Sequence, residues 1–194
     1  MNNQFPKVSE SQEFQKLYCA GLSLARKEFF KCVFKKCDFS DCNFSGSSFI
    51  DCSFFDCNFS NTKLDDCSFQ NIIFQDCKLL GIIFSRINTL LISWTYKKCS
   101  ITLCDFSNLD IKSSQFLECE IRESDFIRVN LSNSNFSGSS LQSSKFQDTN
   151  LEKANFIGAK DYYIDPKCNK LKQARFSYPD ALSLLDSFGV KIEF

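Results

Sequence analysis

A chain of 194 residues with 23 basic and 23 acidic side chains has a formal net charge of zero, which excludes the strong overall charge of a nucleic-acid binder. It holds no histidine, so His-dependent triads and His-ligated metal sites are excluded, and its six glycines build neither a dinucleotide fingerprint nor a phosphate-binding loop. Twenty-three Phe against one Trp and one Met show that a single side-chain shape is being stacked.

Residues 1–23 read as a lead-in, polar from Met1 to Phe14. No uninterrupted apolar run of spanning length and no signal peptide is present, so the expectation is a cytoplasmic protein with no membrane partner. Residues 26–36 then carry Arg26, Lys27, Lys31, Lys35 and Lys36 against Glu28, whereas 38–76 carry seven Asp against Lys63 alone. The rod is expected to have a basic start and an acidic middle.

From Phe29 to Phe84 every fifth residue is Phe or Leu, and from Ile101 to Phe156 every fifth is Phe, Leu or Ile. Neither a helix of period 3.6 nor a strand of period 2 keeps one face apolar at that spacing, so each pentapeptide must be one wall of a solenoid. Two residues before most anchors sits a small residue, as in Cys37, Ser47, Cys57 and Thr62. Anchor and small residue both point inward, because a second large side chain would overpack a narrow tube by about 1–3 kcal/mol. Beyond Ile101 the anchors alternate Phe with Ile or Leu, so the wall number is even. Four walls of five residues stack Phe54 between Phe34 and Phe74, and place Phe116, Phe136 and Phe156 in one ladder with Ile111, Leu131 and Leu151 on another. The regular anchors make six turns.

Ten of the twelve Cys lie in the small inward column, where Ser, Thr and Ala also serve. They read as compact filler in a reducing compartment rather than as disulfides or metal ligands, and no metal or cofactor is expected.

Runs such as Cys37-Asp38-Phe39-Ser40-Asp41 and Cys42-Asn43-Phe44-Ser45-Gly46 resemble the units of the pentapeptide-repeat family. The resemblance implies an all-β solenoid, a right-handed four-sided parallel β-helix, over about residues 24–158.

The repeat breaks once. The next anchors in a new phase are Leu91, Tyr96 and Ile101, so two extra residues enter near 85–90. Trp94 falls in the small column, too large for the inside, and a distorted wall is expected to carry Trp94 and Tyr96 at the surface as a candidate partner-binding patch.

Over 159–194, Asp161 and Pro166 occupy anchor positions before Leu171 and Phe176 return in phase. Tyr162 to Asn169 is expected as a loop. Pro179-Asp180 then starts a short helix ending at Gly189, with Ala181, Leu184, Leu185 and Phe188 on one face, and Val190, Ile192 and Phe194 alternate like a strand. This helix-and-strand end should cap the last turn.

Ile164-Asp165-Pro166, Asn169, Ala181, Leu185 and Gly189-Val190 resemble the end of the McbG/Qnr/MfpA group of the family. That resemblance implies a homodimer joined through Leu182, Leu185 and Phe188, and a non-catalytic DNA mimic that binds DNA gyrase or topoisomerase IV and protects it from quinolone or toxin. It implies no direct nucleic-acid contact. Asp51, Asp56, Asp66 and Asp76, each two residues after an anchor, are the carboxylates expected to face that partner. The alternative is an interaction scaffold or effector with another protein partner.

Overall fold

The computed structural model describes residues 5–190. The chain coils into an all-parallel β-solenoid of about 8 turns with one short helix at its C-terminal end. Each turn has four walls. Successive turns pair in register at an offset of twenty, as in Phe34 with Phe54 and Phe29 with Phe49. The first wall stacks Val8–Glu10, Glu28–Phe30, Ser48–Ile50 and Ser68–Gln70. The second runs from Glu13–Gln15 to Gln115–Leu117, the third includes Lys78–Leu80 to Glu120–Arg122, and the fourth includes Asp125–Ile127 to Tyr163–Ile164. Strands of two to four residues suffice because every turn is hydrogen-bonded to the next. At about 4.8 Å per turn the rod is roughly 40 Å long.

The interior is the stack of rings set by the five-residue period. Phe34, Phe54 and Phe74 are buried and lie face to face at 4.8 and 5.1 Å, as do Phe116, Phe136 and Phe156 at 4.8 and 4.9 Å. Rings on adjacent walls meet edge-on, Phe54 with Phe59 at 5.0 Å and 86°. Offset stacking along the axis and edge contacts across it suit the ring quadrupole.

The coil starts a full turn before the regular repeat. Val8–Glu10 pairs with Glu28–Phe30, Phe14 stacks on Phe34 at 5.0 Å, and Phe5 lies buried and edge-on to Phe14 at 4.9 Å, plugging the end. Lys27 sends its ammonium inward to the Phe5 carbonyl at 2.8 Å.

The small column is more than filler. Most of its side chains donate to the carbonyl of an anchor one turn below: Ser47 to Leu24 at 2.9 Å, Thr62 to Phe39 at 2.9 Å, Cys77 to Phe54 at 3.4 Å and Ser139 to Phe116 at 2.8 Å. Cys, Ser and Thr thus combine small volume with a donor for a buried acceptor, which Ala lacks. Eleven of the twelve thiols are buried and all twelve are free; burial pushes Cys52 and Cys104 up to about 12, which keeps them protonated.

The phase break lies slightly later than the spacing indicated, and its contents are reversed. Ser68 still bridges Asn88 at the offset of twenty, but Trp94 pairs with Ile72 at twenty-two, so the extra two residues fall between Asn88 and Ser93. Leu91 is therefore not an inward anchor: it keeps the corner place above Asn71, 70 % exposed, beside Leu90 at 62 %. Trp94 and Tyr96, expected at the surface, are inside at 2 % and 0 %. Tyr96 joins the second-wall ladder between Phe74 at 5.1 Å and Phe116 at 4.9 Å.

Trp94 fits the small column because the wall before it supplies no anchor. Thr89, which should stack on Phe69, is exposed, and the indole fills the vacant interior beside Phe84 at 5.3 Å. Its Nε1–H donates to the Phe69 carbonyl at 3.2 Å, the bond that Cys52 makes to Phe29 one turn below.

The same substitution recurs near the far end. Asp161 leaves the third wall without an anchor, and Tyr162, in the next small position, is buried against Phe156 and Phe176. Ile164, rather than Pro166, pairs with Phe146. The expected loop is therefore partly wall. Phe176 then stacks on Phe156 at 5.0 Å. Asp180–Phe188 winds as a 3₁₀ helix, stopped by Gly189 in the left-handed conformation at φ 69°. Of the expected terminal strand, Val190 is exposed, and Ile192 and Phe194 lie outside the described residues.

Candidate protein-interaction surfaces

With the interior filled, the chemistry available to a partner is on the walls and corners. The corner residue, two after each anchor, adopts positive φ in nearly every wall, at 26 non-Gly positions among the described residues. Asp and Asn tolerate this region through local hydrogen bonding, which explains their frequency there.

Asp51, Asp56, Asp66 and Asp76 are four such corners, at φ 55°, 55°, 56° and 53°, and all are exposed. The four-wall register does not bring them into one stripe. Asp56 and Asp76 follow the second wall, Asp51 the first and Asp66 the fourth. The corner carrying Asp56 and Asp76 reads, turn by turn, Lys16, Lys36, Asp56, Asp76, Lys98, Glu118.

Opposite charges then meet between turns: Lys36 with Asp56 at 3.9 Å, Lys98 with Glu118 at 3.8 Å, Arg86 with Asp65 at 3.4 Å and Lys145 with Asp125 at 3.4 Å. Asp51 accepts a bond from Asn71 at 2.7 Å. Exposed pairs of this kind add little stability, but they weaken the field that a bare carboxylate column would project.

At the C-terminal end the three residues expected to join two rods divide. Leu185 and Phe188 are 37 % and 54 % exposed. Leu182 is half-buried and lines a groove with Tyr162 and Pro179. Leu184 is the helix side chain packed against the core. Lys167 fixes the helix end, donating to the Ser187 carbonyl at 2.5 Å and lying 4.7 Å from the centre of the Phe188 ring.

The spacing argument missed Leu91 and Leu103. Both are corner residues at positive φ, 70 % and 55 % exposed, and every other described non-Gly residue in that conformation is polar. The available signal was an apolar residue in an otherwise polar column; the phase break hid it by making Leu91 look like an anchor. Among the described residues no helix is long and apolar enough to cross a membrane, and no cluster of three His, Cys, Asp or Glu is placed to hold a metal ion.

A family model described as "Pentapeptide repeat region" matches residues 27–90 and 87–156, more than half of the chain. No curated protein sequence matches. Among solved structures the chain is similar to a trypsin-treated variant of QnrB1, described as a plasmid-mediated fluoroquinolone resistance protein, at 17 % identity and a TM-score of 0.67, covering 93 % of this chain and 100 % of that one. A second such variant gives 19 % and 0.57, over 96 % and 97 %. HetL, described as involved in heterocyst differentiation regulation in the cyanobacterium Nostoc sp. strain PCC 7120, gives 16 % and 0.56 over 87 % and 84 %.

Proposed function

Because the chain belongs to the pentapeptide-repeat family, we propose that it acts without catalysis, as a rod that occupies a type II topoisomerase, DNA gyrase or topoisomerase IV, in place of duplex DNA and so protects the enzyme from a quinolone or toxin. The observation that carries this reading is a continuous coil with a buried aromatic core and charged corners repeated at every turn. The fluoroquinolone-resistance role of QnrB1, a fold relative, gives it direction.

Charge density limits where mimicry can lie. Twenty-three carboxylates along roughly 40 Å give one per about 1.7 Å, the density of duplex phosphates, but 23 basic groups cancel them overall. The mimicking surface is therefore local, the two turns of 38–76 where seven Asp face Lys63 alone. The purified protein should compete with DNA for gyrase or topoisomerase IV, less well as salt rises. Replacing Asp51, Asp56, Asp66 and Asp76 by Asn keeps shape and corner conformation, and should raise the concentration for half-maximal competition about tenfold or more. A variant equal to wild type, or a wild type without effect on either enzyme, overturns this function.

The reading also joins two rods through their C-terminal ends, where Tyr178, Leu185, Phe188 and Val190 are 75 %, 37 %, 54 % and 50 % exposed. Light scattering should give a dimer at micromolar concentration and a monomer for the Leu185→Glu, Phe188→Glu variant; a monomeric wild type refutes it. Free thiols throughout suit a reducing compartment such as the cytoplasm. The interturn ion pairs favour a second reading, a rod that binds another protein partner, for which duplex-like charge is unnecessary.

A further inference from the structure

The level of the rod that holds the phase break combines two features that no other described level combines. First, it carries the two corner leucines. At positive φ a residue without a short polar side chain is strained, and each Leu also exposes apolar area, so neither choice serves the fold. Leu90 adds to Leu91, and Ile73 and Ile83 on the turn below are 40 % and 43 % exposed. Second, residues 77–104 contain no Asp or Glu, but Lys78, Arg86, Lys97 and Lys98, all exposed. Arg86 and Lys98 reach carboxylates of neighbouring turns, whereas Lys78 and Lys97 are in no ion pair among the described residues.

The chain between the two leucines fixes their relation. From the corner at Leu91 it runs along the second wall, Trp94–Lys97, turns at Lys98, follows the third wall, Ser100–Thr102, and turns again at Leu103. Two walls separate the leucines, so they stand on diagonally opposite corners with the lysines between them.

We propose that this level is a docking belt for a partner protein segment that presents apolar side chains flanked by carboxylates, wrapped across the second and third walls from Leu91 to Leu103. Lys97 and Lys98 between the leucines, with Lys78 on the turn below, select the charge of the segment, and the leucines supply its apolar anchors. A flat anionic membrane fits poorly, because one plane cannot touch opposite corners of a four-sided rod. The proposal rests on the reading of the chain as an interaction rod, but not on a topoisomerase as its partner.

A fluorescein-labelled peptide with alternating Leu and Glu, titrated against the full chain, is the probe, with Lys-for-Glu and Ser-for-Leu peptides and phosphatidylserine vesicles as counter-probes. The Leu/Glu peptide should bind, and binding should weaken about tenfold or more in Leu91→Asn, Leu103→Asn and again in Lys97→Glu, Lys98→Glu. The Asn pair should melt no lower than wild type, since Asn relieves both corners. A lowered melting temperature would make the leucines structural and overturn the proposal. So would equal binding by the Asn pair, equal binding of the Lys peptide, preference for vesicles, or no binding of the Leu/Glu peptide. No topoisomerase enters the titration, so failure in the gyrase assay leaves its result standing.

Discussion

Phe54→Ala should cost about 3–5 kcal/mol, one of the two largest single-residue losses expected in this chain. The ring is fully buried, stacked between Phe34 at 4.8 Å and Phe74 at 5.1 Å, and met edge-on by Phe49 at 5.6 Å and Phe59 at 5.0 Å. Its neighbours are pinned by the interturn ladder, so the walls cannot close on the void. Cys57→Ser, in the next small position, should be mild: it keeps a donor for the Phe34 carbonyl now reached by the thiol at 3.6 Å. Urea melts of the two variants should separate them clearly, and equal losses would contradict the division of labour between the two inward columns.

That division was legible in the sequence because it repeats. A period of five, a large and a small inward residue, and an even wall count follow from spacing alone, and they fix the stacking of Phe34, Phe54 and Phe74 and of Phe116, Phe136 and Phe156, which Tyr96 joins into one second-wall ladder. Surface charge was less legible for the same reason. Asp51, Asp56, Asp66 and Asp76 share one place in the pentapeptide, but a partner sees walls, and only the twenty-residue register separates Asp56 and Asp76 from the others. The interior around Trp94 is not legible from the small column one wall at a time. Volume in a four-sided tube is shared across the turn, so a missing anchor at Thr89 makes room for the indole, as Asp161 makes room for Tyr162. Both exceptions obey the packing rule once whole turns are counted.

Trp94→Cys therefore restores the repeat consensus and should still destabilise, by about 3–5 kcal/mol, because it empties the space above Phe69 and loses most of the indole's contacts with Phe84. If the indole were merely an oversized residue forced into a small slot, the same change would relieve overpacking and raise the melting temperature. The sign of the shift decides between the two. A compensated variant sharpens the test. Deleting Leu90 and Leu91 returns the turn to twenty residues, Thr89→Phe places a ring over Phe69, and Trp94→Cys then follows Ile92 and Ser93 as an ordinary small position. The resulting run, Asn88, Phe at 89, Ile92, Ser93 and Cys at 94, matches the units that precede it. Its stability should recover most of the loss of the single substitution. A compensated chain no more stable than Trp94→Cys alone would show that the two-residue insertion is held by something other than the exchange of one anchor for one indole.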